Sequence, residues 1–444
     1  MKSLIDRGGR LSQGLAHIRI QFGVPVSFPA QVLAEAQAAA ALPIAHHPDW
    51  TDRPFVTLDP AASTDLDQAF WIERSGGDLI LYYATADAAW FVSPNSLMVV
   101  EAWARGTTIY MPDGKASLYP ELLSEGAASL LPNVERPSVV FTVRIDPAGK
   151  ATLEGADRAI VRSRAKLAYE QVQSADLPPD FAELSRRIEQ AADDRGASRV
   201  DAPEQELTID AQGHFALRFR PQLQSETQNA ALSLAANLAI ADMLFTHKTG
   251  LFRVMAAPDE RAINRLRHSA KALGLNWPGD VTLPDFVKTL DSTKPRDAAL
   301  QAAVRRAGPG ASYAPFLPGV QPRHSAMAAT YAHATAPLRR LADRYVIEAI
   351  VQIANGQTAS EDLNSIFQRL PLVRPKPKRK RARLIERSSI PRKPRPFRVA
   401  REGGFQRWSR TWTNAARASN YPTQQWSPAW MPKVRCPVMP FQFG

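Results

Sequence analysis

Cysteine and long apolar runs are scarce in this sequence, and their scarcity excludes several classes of protein. A single cysteine, Cys436, excludes an intramolecular disulfide framework and favours a reducing compartment, so we expect a cytoplasmic protein. The first residues, MKSLIDRGGRLSQGL, contain no apolar core of signal-peptide length. The most apolar long stretch, residues 230–245, is interrupted by Ser233, Asn237 and Asp242. It therefore predicts a buried helix, and we expect no membrane span.

Acidic residues are also scarce, but only at the C-terminal end of the chain. Residues 371–444 contain 18 lysines and arginines, two glutamates and no aspartate, which gives this segment a net charge of +16. Residues 1–370 carry a net charge of −4, although the whole chain has a formal charge of +12. The basic character therefore belongs to the tail and is no evidence for an RNA-binding surface on the body.

The tail, residues 371–444, is rich in proline, arginine and tryptophan and has no amphipathic period. Such a segment buries too little apolar surface to offset its chain entropy, so we expect it to be disordered. Two interpretations remain open. Out-of-frame translation of a GC-rich gene from near residues 370–374 would give this composition, whereas a genuine basic arm would bind RNA backbone. Resequencing the gene across this junction distinguishes them.

Three aspartates are concentrated between Thr57 and Phe70, in the sequence TLDPAASTDLDQAF. They are Asp59, Asp65 and Asp67. The β-branched and aromatic residues on either side predict strands, and the proline and small residues between them predict a loop. Like charges repel by about 1 kcal/mol at ~4 Å even in water, so we expect a cation among them. Carboxylate oxygens suit Mg²⁺, which also retains water and substrate phosphate.

The same aspartates also fit a solvated acidic loop, which is the more common role of such residues. Their spacing does not match the alternating pattern of a calcium-binding EF-hand loop. The residues alone therefore leave the metal site and the solvated loop open.

Several ordered motifs make the chain similar to the ribonuclease II family, the RNB-type exoribonucleases. The acidic stretch resembles the family signature T-x-D-P-x-x-x-x-D-L-D-D-A. Residues 83–87, YATAD, resemble the family strand HIADV, and residues 105–113, RGTTIYMPD, resemble its RGxxxYxPD segment. Residues 120–130 resemble its P-x-x-L-S…S-L run, and residues 331–340, YAHATAPLRR, resemble YAHFTSPIRR. The resemblance covers residues 53–355, and its specificity comes from the order of the motifs.

The resemblance implies a Mg²⁺-dependent enzyme that hydrolyses single-stranded RNA from the 3′ end to nucleoside 5′-monophosphates. It implies that Asp59, Asp65 and Asp67 hold the metal and that Asp65 and Asp67 take part in catalysis. It matches Tyr110 to a tyrosine that stacks on a base beside the scissile phosphate. It matches Arg339 to a catalytic arginine that clamps that phosphate.

One position departs from the family signature. The fourth aspartate is replaced by Gln68. A neutral amide contributes no charge to a divalent cation, so metal affinity or metal number is expected to differ. The shorter bacterial branch of the family, which this chain most resembles, carries glutamine there, so the replacement does not by itself predict an inactive site.

Residues 335–355 predict a helix whose first turn carries two arginines. Thr335 fits its N-cap, and Arg339 and Arg340 would lie where free backbone N–H groups and the helix dipole favour anions. Two cations at that end indicate a bound phosphate, which makes Arg340 a second candidate for substrate binding. The alternative is a salt bridge to Asp343 or to another domain, and Arg340 is the better candidate for that structural role.

We divide the chain into a short helical N-terminal segment (1–50), an RNB-like catalytic domain (51–370) and the basic tail (371–444). The fold class is expected to be α+β, an RNB-type catalytic domain with a mostly antiparallel sheet and flanking helices. Strands are expected at 68–74, 78–84 and 139–145, and helices at 31–41, 95–105, 226–248 and 259–273.

Three further expectations concern less regular stretches. Residues 158–310 should be mostly helical, and the basic residues on 259–273 predict a solvated face, with an RNA groove as the alternative. His46 and His47 predict an exposed loop and no metal site. Asp87 lies at a strand end, where a hydrogen bond to backbone is expected and membership of the carboxylate site is the alternative.

The sequence therefore predicts a monomeric Mg²⁺-dependent exoribonuclease whose partner is single-stranded RNA. A different class of function remains open, namely a catalytically impaired RNA-binding relic of the same fold. A third alternative is a Mg²⁺ phosphoesterase that acts on a substrate smaller than RNA.

Overall fold

The computed structural model describes residues 10–45, 47–111, 113–198, 204–209, 215–220 and 223–373. Its helices are α1 (Arg10–Phe22), α2 (Ala30–Ala40), α3 (Ala88–Phe91), α4 (Leu97–Arg105), α5 (Phe181–Asp194), α6 (Gln224–Thr246), α7 (Glu260–Ala272), α8 (Leu283–Lys288), α9 (Pro295–Ala307), α10 (Leu341–Ala354) and α11 (Glu361–Arg369). The tail predictions, apart from residues 371–373, lie outside the described residues.

The strands are β1 (Val56–Asp59), β2 (Gln68–Ser75), β3 (Asp78–Ala86), β4 (Ile109–Met111), β5 (Gly114–Ala116), β6 (Glu135–Ile145), β7 (Ala151–Arg162), β8 (Ala165–Ala168), β9 (Glu204–Ile209), β10 (Phe215–Arg220), β11 (Leu251–Val254) and β12 (Ser312–Pro315). Six of them form the main sheet, in the order β7-β6-β3-β2-β1-β8. Every pair is antiparallel except β1 and β8, which are parallel. The predicted α+β class with a mostly antiparallel sheet is confirmed.

Successive side chains of each strand point to opposite faces of the sheet, and the two faces pack against different hydrophobic cores. On β3, Leu79, Leu81 and Tyr83 are buried in the large core that includes the helices. Ala84 points to the other face, where it joins a smaller core with Phe55. The sheet is therefore covered on both faces around the start of the acidic stretch.

Helix α6 lies across the sheet and packs against α5, β7 and β6. Among the described residues it is the one helix whose length and composition would suffice to cross a membrane, and 56% of its most apolar window is buried inside the protein. Leu232, Ala236 and Ile240 form part of the large core. The prediction of a buried helix is confirmed.

The N-terminal segment contains one helix more than expected. Besides α2, which matches the predicted helix at 31–41, α1 covers Arg10–Phe22. Leu15 and Ile18 of α1 are buried against Ile109 and Met111 of the β4–β5 hairpin. The short helical segment thus supports the hairpin that follows the acidic stretch in the chain.

One prediction on residues after 158 is confirmed only in part, and another is wrong. The helices α5 to α9 make up most of the regular structure in residues 158–310, but the end of β7 and the strands β8 to β11 lie among them. The helix predicted at 335–355 begins at Leu341, and Arg340 is its N-cap without a side-chain capping bond. Arg339 therefore lies before the helix and not in its first turn.

Candidate active site

The acidic stretch is held at the junction of β1, β2 and β8. Asp59 is the last residue of β1, and its backbone pairs with Ala168 of the parallel strand β8. Lys166 of β8 donates from Nζ to the carbonyl oxygens of Ala61 (2.8 Å) and Ser63 (2.6 Å). This lysine fixes the loop between the first and the later aspartates, and no motif in the sequence indicates its role.

Asp67 is the most enclosed carboxylate of the stretch, with 3% of its surface exposed. Its Oδ1 accepts a hydrogen bond from the backbone N–H of Leu338 at 2.7 Å. Its Oδ2 lies 3.0 Å from Nε of Arg339. The structure thus brings together two candidate catalytic residues that are far apart in sequence.

Asp59 contributes an unsatisfied carboxylate oxygen beside this ion pair. Its Oδ2 is buried and has no hydrogen-bond partner among the described residues. Burial, followed by the neighbouring charge of Asp67, raises the pKa of Asp59 to about 7. Burial also raises the pKa of Asp67 to about 7, although Arg339 opposes this shift. Arg339 therefore offsets only part of the effect of burial on the two carboxylates.

Asp65 has a different environment from the other two aspartates. Its Oδ2 accepts from the hydroxyl of Tyr110 at 2.8 Å, and its Oδ1 lies 3.2 Å from Nζ of Lys115. The same Nζ lies 3.0 Å from Oε1 of Glu125. Sequence reasoning missed Lys115 and Glu125, because neither belongs to the acidic stretch.

Tyr110 and Arg339 are positioned by a direct backbone contact between their segments. Gly106 ends α4 with a positive φ of 70°, which favours glycine, and its carbonyl accepts from the N–H of Leu341. The carbonyl of Arg339 accepts from the N–H of Thr108 at 3.0 Å. Tyr110 remains 46% exposed, and the Arg339 side chain 45%. Both side chains are therefore accessible to a ligand.

Arg340 is engaged by a buried carboxylate. Its Nε lies 2.9 Å from both carboxylate oxygens of Asp343, and its Nη2 lies 2.6 Å from Oδ2. Asp343 is fully buried and also accepts from the backbone N–H of Ala336. The geometry matches the structural alternative for Arg340.

Gln68 lies at the start of β2 and is buried. Its Oε1 accepts a hydrogen bond from the hydroxyl of Tyr83. The amide oxygen, which could otherwise contact a cation, is therefore used within the core.

Two residues considered for metal or carboxylate roles lie in a separate network. Asp87 accepts from the backbone N–H of Trp90 and pairs with Arg158 at 2.9 Å, so the backbone bond expected of it is present. His47 lies in a loop as expected, but the prediction that it is exposed is wrong, because its side chain is buried 3.5 Å from Asp87. The neighbouring carboxylate of Asp87 raises the pKa of His47.

The residues fit a divalent cation at Asp59 and Asp67. The observation that indicates it is the buried and unpartnered Oδ2 of Asp59, since a buried carboxylate oxygen normally has a partner. Among the residues that the structure describes, however, no group of three His, Cys, Asp or Glu side chains forms a ready-made metal site. The predicted set of three aspartates is thus divided, with Asp65 turned to Lys115.

Because the pKa values of Asp59 and Asp67 are raised in the folded chain, the stability of the fold should depend on pH when no cation is bound. A bound cation should remove this dependence on pH. Between about pH 4 and pH 7 both carboxyls bind protons in the folded chain, whereas in the unfolded chain, with pKa near 3.9, they do not. The stabilisation is present at low pH and is lost as the pH rises through about 7. With EDTA, we expect the melting temperature to fall between pH 5 and pH 8, and Mg²⁺ should restore it at pH 8.

The control for this measurement is Asp59→Asn, which removes one of the two titrating groups. Its melting temperature should depend less on pH in EDTA and respond less to Mg²⁺. Identical profiles for the two chains would show that Asp59 is not the source of the effect.

The fold and the site together define an α+β domain in which a buried carboxylate pair lies close to an arginine and an exposed tyrosine. The chain belongs to the RNB domain family, whose model matches residues 48–356. The resemblance inferred from the motifs is thereby confirmed.

The curated relatives are longer proteins. The chain is 30% identical over 330 residues to ribonuclease R of Escherichia coli K12, which covers 68% of this chain and 40% of the relative. It is 26% identical over 373 residues to ribonuclease R 1 of Lactococcus lactis, covering 78% of this chain and 45% of that protein. The chain thus spans less than half the length of either relative.

Solved structures support the fold. Mycoplasma genitalium RNase R in complex with ribose-methylated single-stranded RNA superposes with a TM-score of 0.73 at 20% identity, covering 85% of this chain and 63% of that one. Yeast Ssd1, described as a pseudonuclease, gives a TM-score of 0.59 at 15% identity, covering 82% of this chain and 46% of that one.

Proposed function

We propose that this protein hydrolyses single-stranded RNA from the 3′ end and releases nucleoside 5′-monophosphates, with Mg²⁺ as cofactor. The observation that carries the proposal is the pairing of Asp67 with Arg339 beside the unsatisfied oxygen of Asp59. Membership of the RNB family and relatives named ribonuclease R support it. We further propose a cytoplasmic monomer.

The chain's own residues bind and orient the substrate in this proposal. Arg339 contacts the scissile phosphate and stabilises the charge that develops on it, while Asp67 holds the guanidinium through Nε. Asp65 fixes the hydroxyl of Tyr110, which leaves the ring face free to stack on the terminal base. Asp59 and Asp67 would hold Mg²⁺, which when bound polarises phosphate oxygens and lowers the pKa of water.

Product analysis tests this function. Single-stranded RNA is incubated with the full chain and Mg²⁺, and the products are separated by chromatography. Nucleoside 5′-monophosphates are the expected product. Intact RNA that is retarded in a gel would instead indicate an RNA-binding protein. Inertness toward RNA with cleavage of small phosphoesters would indicate a phosphoesterase.

A second candidate function is that of a catalytically impaired RNA-binding relic. The neutral side chain of Gln68, whose oxygen is occupied by Tyr83, favours this candidate. If catalysis persists, the missing charge should weaken Mg²⁺ binding.

Gln68→Asp tests this reasoning. Wild-type activity should rise well into the millimolar range of Mg²⁺, because one carboxylate fewer attracts the ion. The substitution should lower the Mg²⁺ concentration for half-maximal activity. Superimposable Mg²⁺ titrations of the two proteins would place position 68 outside the metal's coordination shell.

We also propose that the basic tail contributes to RNA affinity through its net charge of +16. A chain that ends at Leu370 should bind RNA more weakly, and its affinity should depend less on salt. For each phosphate that the protein no longer neutralises, the log–log salt slope for single strands falls by about 0.7. Circular dichroism should show helix and strand content per residue no lower than in the full chain. Cooperative loss of the fold on truncation would contradict this prediction.

A further inference from the structure

The β4–β5 hairpin holds both oxygens of the Asp65 carboxylate. Tyr110 and Lys115 are directly opposite each other in its register, so their side chains leave the hairpin on the same face. The hydroxyl of Tyr110 donates to Oδ2 at 2.8 Å, and Nζ of Lys115 lies 3.2 Å from Oδ1. Each oxygen of Asp65 therefore already contacts a donor.

Lys115 is itself held by a second carboxylate. Its Nζ lies 3.0 Å from Oε1 of Glu125, whose Oε2 accepts from the hydroxyl of Thr64 at 2.5 Å. The ammonium group thus lies between two carboxylates, and only a fifth of the side chain is exposed (21%).

The position of Lys115 is fixed by packing behind the hairpin. Ile109, Met111 and Ala116 alternate with Tyr110 and Lys115 and are buried against helix α1. Arg19 of α1 also pairs with Asp113 in the hairpin turn at 2.8 Å. The lysine therefore belongs to an anchored element.

We propose that Lys115 is a fixed cation that takes the place of a metal ion at Asp65, so that the acidic stretch holds one divalent cation and not two. Two-metal sites are common in enzymes that cleave phosphodiesters. Here Asp65 is neutralised by the protein itself, whereas Oδ2 of Asp59 has no partner among the described residues. The inference rests on the proposed function. It adds to that function the number of metal ions at the site and a positioning role for Lys115.

Counting bound Mn²⁺ tests the proposal without any measurement of RNA cleavage. Mn²⁺ is titrated into the full chain and the bound ions are counted by electron paramagnetic resonance. Wild type and Lys115→Arg should bind about one ion per chain, because both keep the fixed charge. Lys115→Met should bind about two, the second more weakly, because Asp65 is left without a cation. An unchanged count in Lys115→Met, or two ions in the wild type, would overturn the proposal.

Two further variants make the result unambiguous. Lys288→Met removes a lysine that lies 3.8 Å from Asp193 on an exposed surface, and it should leave the count unchanged. Lys115→Gln removes the charge but keeps a hydrogen-bond donor, and it should also gain the second ion. This variant takes the place of Lys115→Met if Lys115→Met does not fold. A gain in Lys115→Met without RNA hydrolysis by the wild type would leave this inference standing and refute the proposed function. RNA hydrolysis by the wild type together with an unchanged ion count in Lys115→Met would refute this inference and leave the proposed function standing.

Discussion

Replacing Asp67 with asparagine should reduce hydrolysis of single-stranded RNA by at least about 100-fold while leaving RNA binding largely intact. The amide oxygen of asparagine can still accept the N–H of Leu338, so the local backbone should be retained. The charge that pairs with Arg339 is removed, and with it half of the proposed cation site. Binding rests on phosphate contacts and base stacking, which do not require that charge.

The measurement is single-turnover RNA cleavage together with filter binding. The matched control is Asp193→Asn, which removes an exposed aspartate that pairs with Lys288 and should leave both quantities unchanged. Turnover near the wild-type rate in Asp67→Asn would remove Asp67 from the mechanism.

The second large effect should separate the two adjacent arginines. Arg340→Met should lower the free energy of unfolding by about 3–5 kcal/mol, because it leaves the fully buried Asp343 without its cation. Arg339→Met should cost less stability, since Asp67 has a pKa of about 7 and can bind a proton instead. It should nevertheless strongly reduce turnover.

Chemical denaturation followed by circular dichroism, and RNA cleavage rates, check both variants. If Arg340→Met kept wild-type stability and lost RNA affinity, then Arg340 would contact substrate as the sequence first indicated. In that case the ion pair with Asp343 would contribute little to the fold.

Strongly periodic segments could be predicted from the sequence. The hairpin of β2 and β3 and the helices α4, α6 and α7 match the predicted ranges within a few residues. Their alternation and apolar spacing reflect which side chains are buried, and this pattern is visible in the local sequence. The strands β8 to β11 were missed because they are short and lie between stronger helical patterns.

The start of α10 could not be predicted, because tertiary contacts determine it. Backbone N–H groups that would lie in the predicted first turn are bound by distant or buried carboxylates. Leu338 donates to Asp67, and Ala336 donates to Asp343. These bonds hold the chain in a turn, so the helix begins only at Leu341.

Only the site residues that belong to sequence motifs were predicted. The motifs led to Asp67, Arg339 and Tyr110, and the structure brings their side chains to one site. Lys115 and Lys166 carry no motif, since their importance comes from strand pairing that places them beside the acidic stretch. The burial of His47 likewise depends on its distant partner Asp87.

The central claim is that this chain shortens RNA from its 3′ end at the site formed by Asp59, Asp67 and Arg339. The most direct test is a time course with single-stranded RNA labelled at its 5′ end, in Mg²⁺ and in EDTA. The proposed function predicts a ladder of labelled fragments that shorten progressively in Mg²⁺, none in EDTA, and none with Asp67→Asn. Labelled RNA that stays full length, or that is released at once as a labelled mononucleotide, would contradict it.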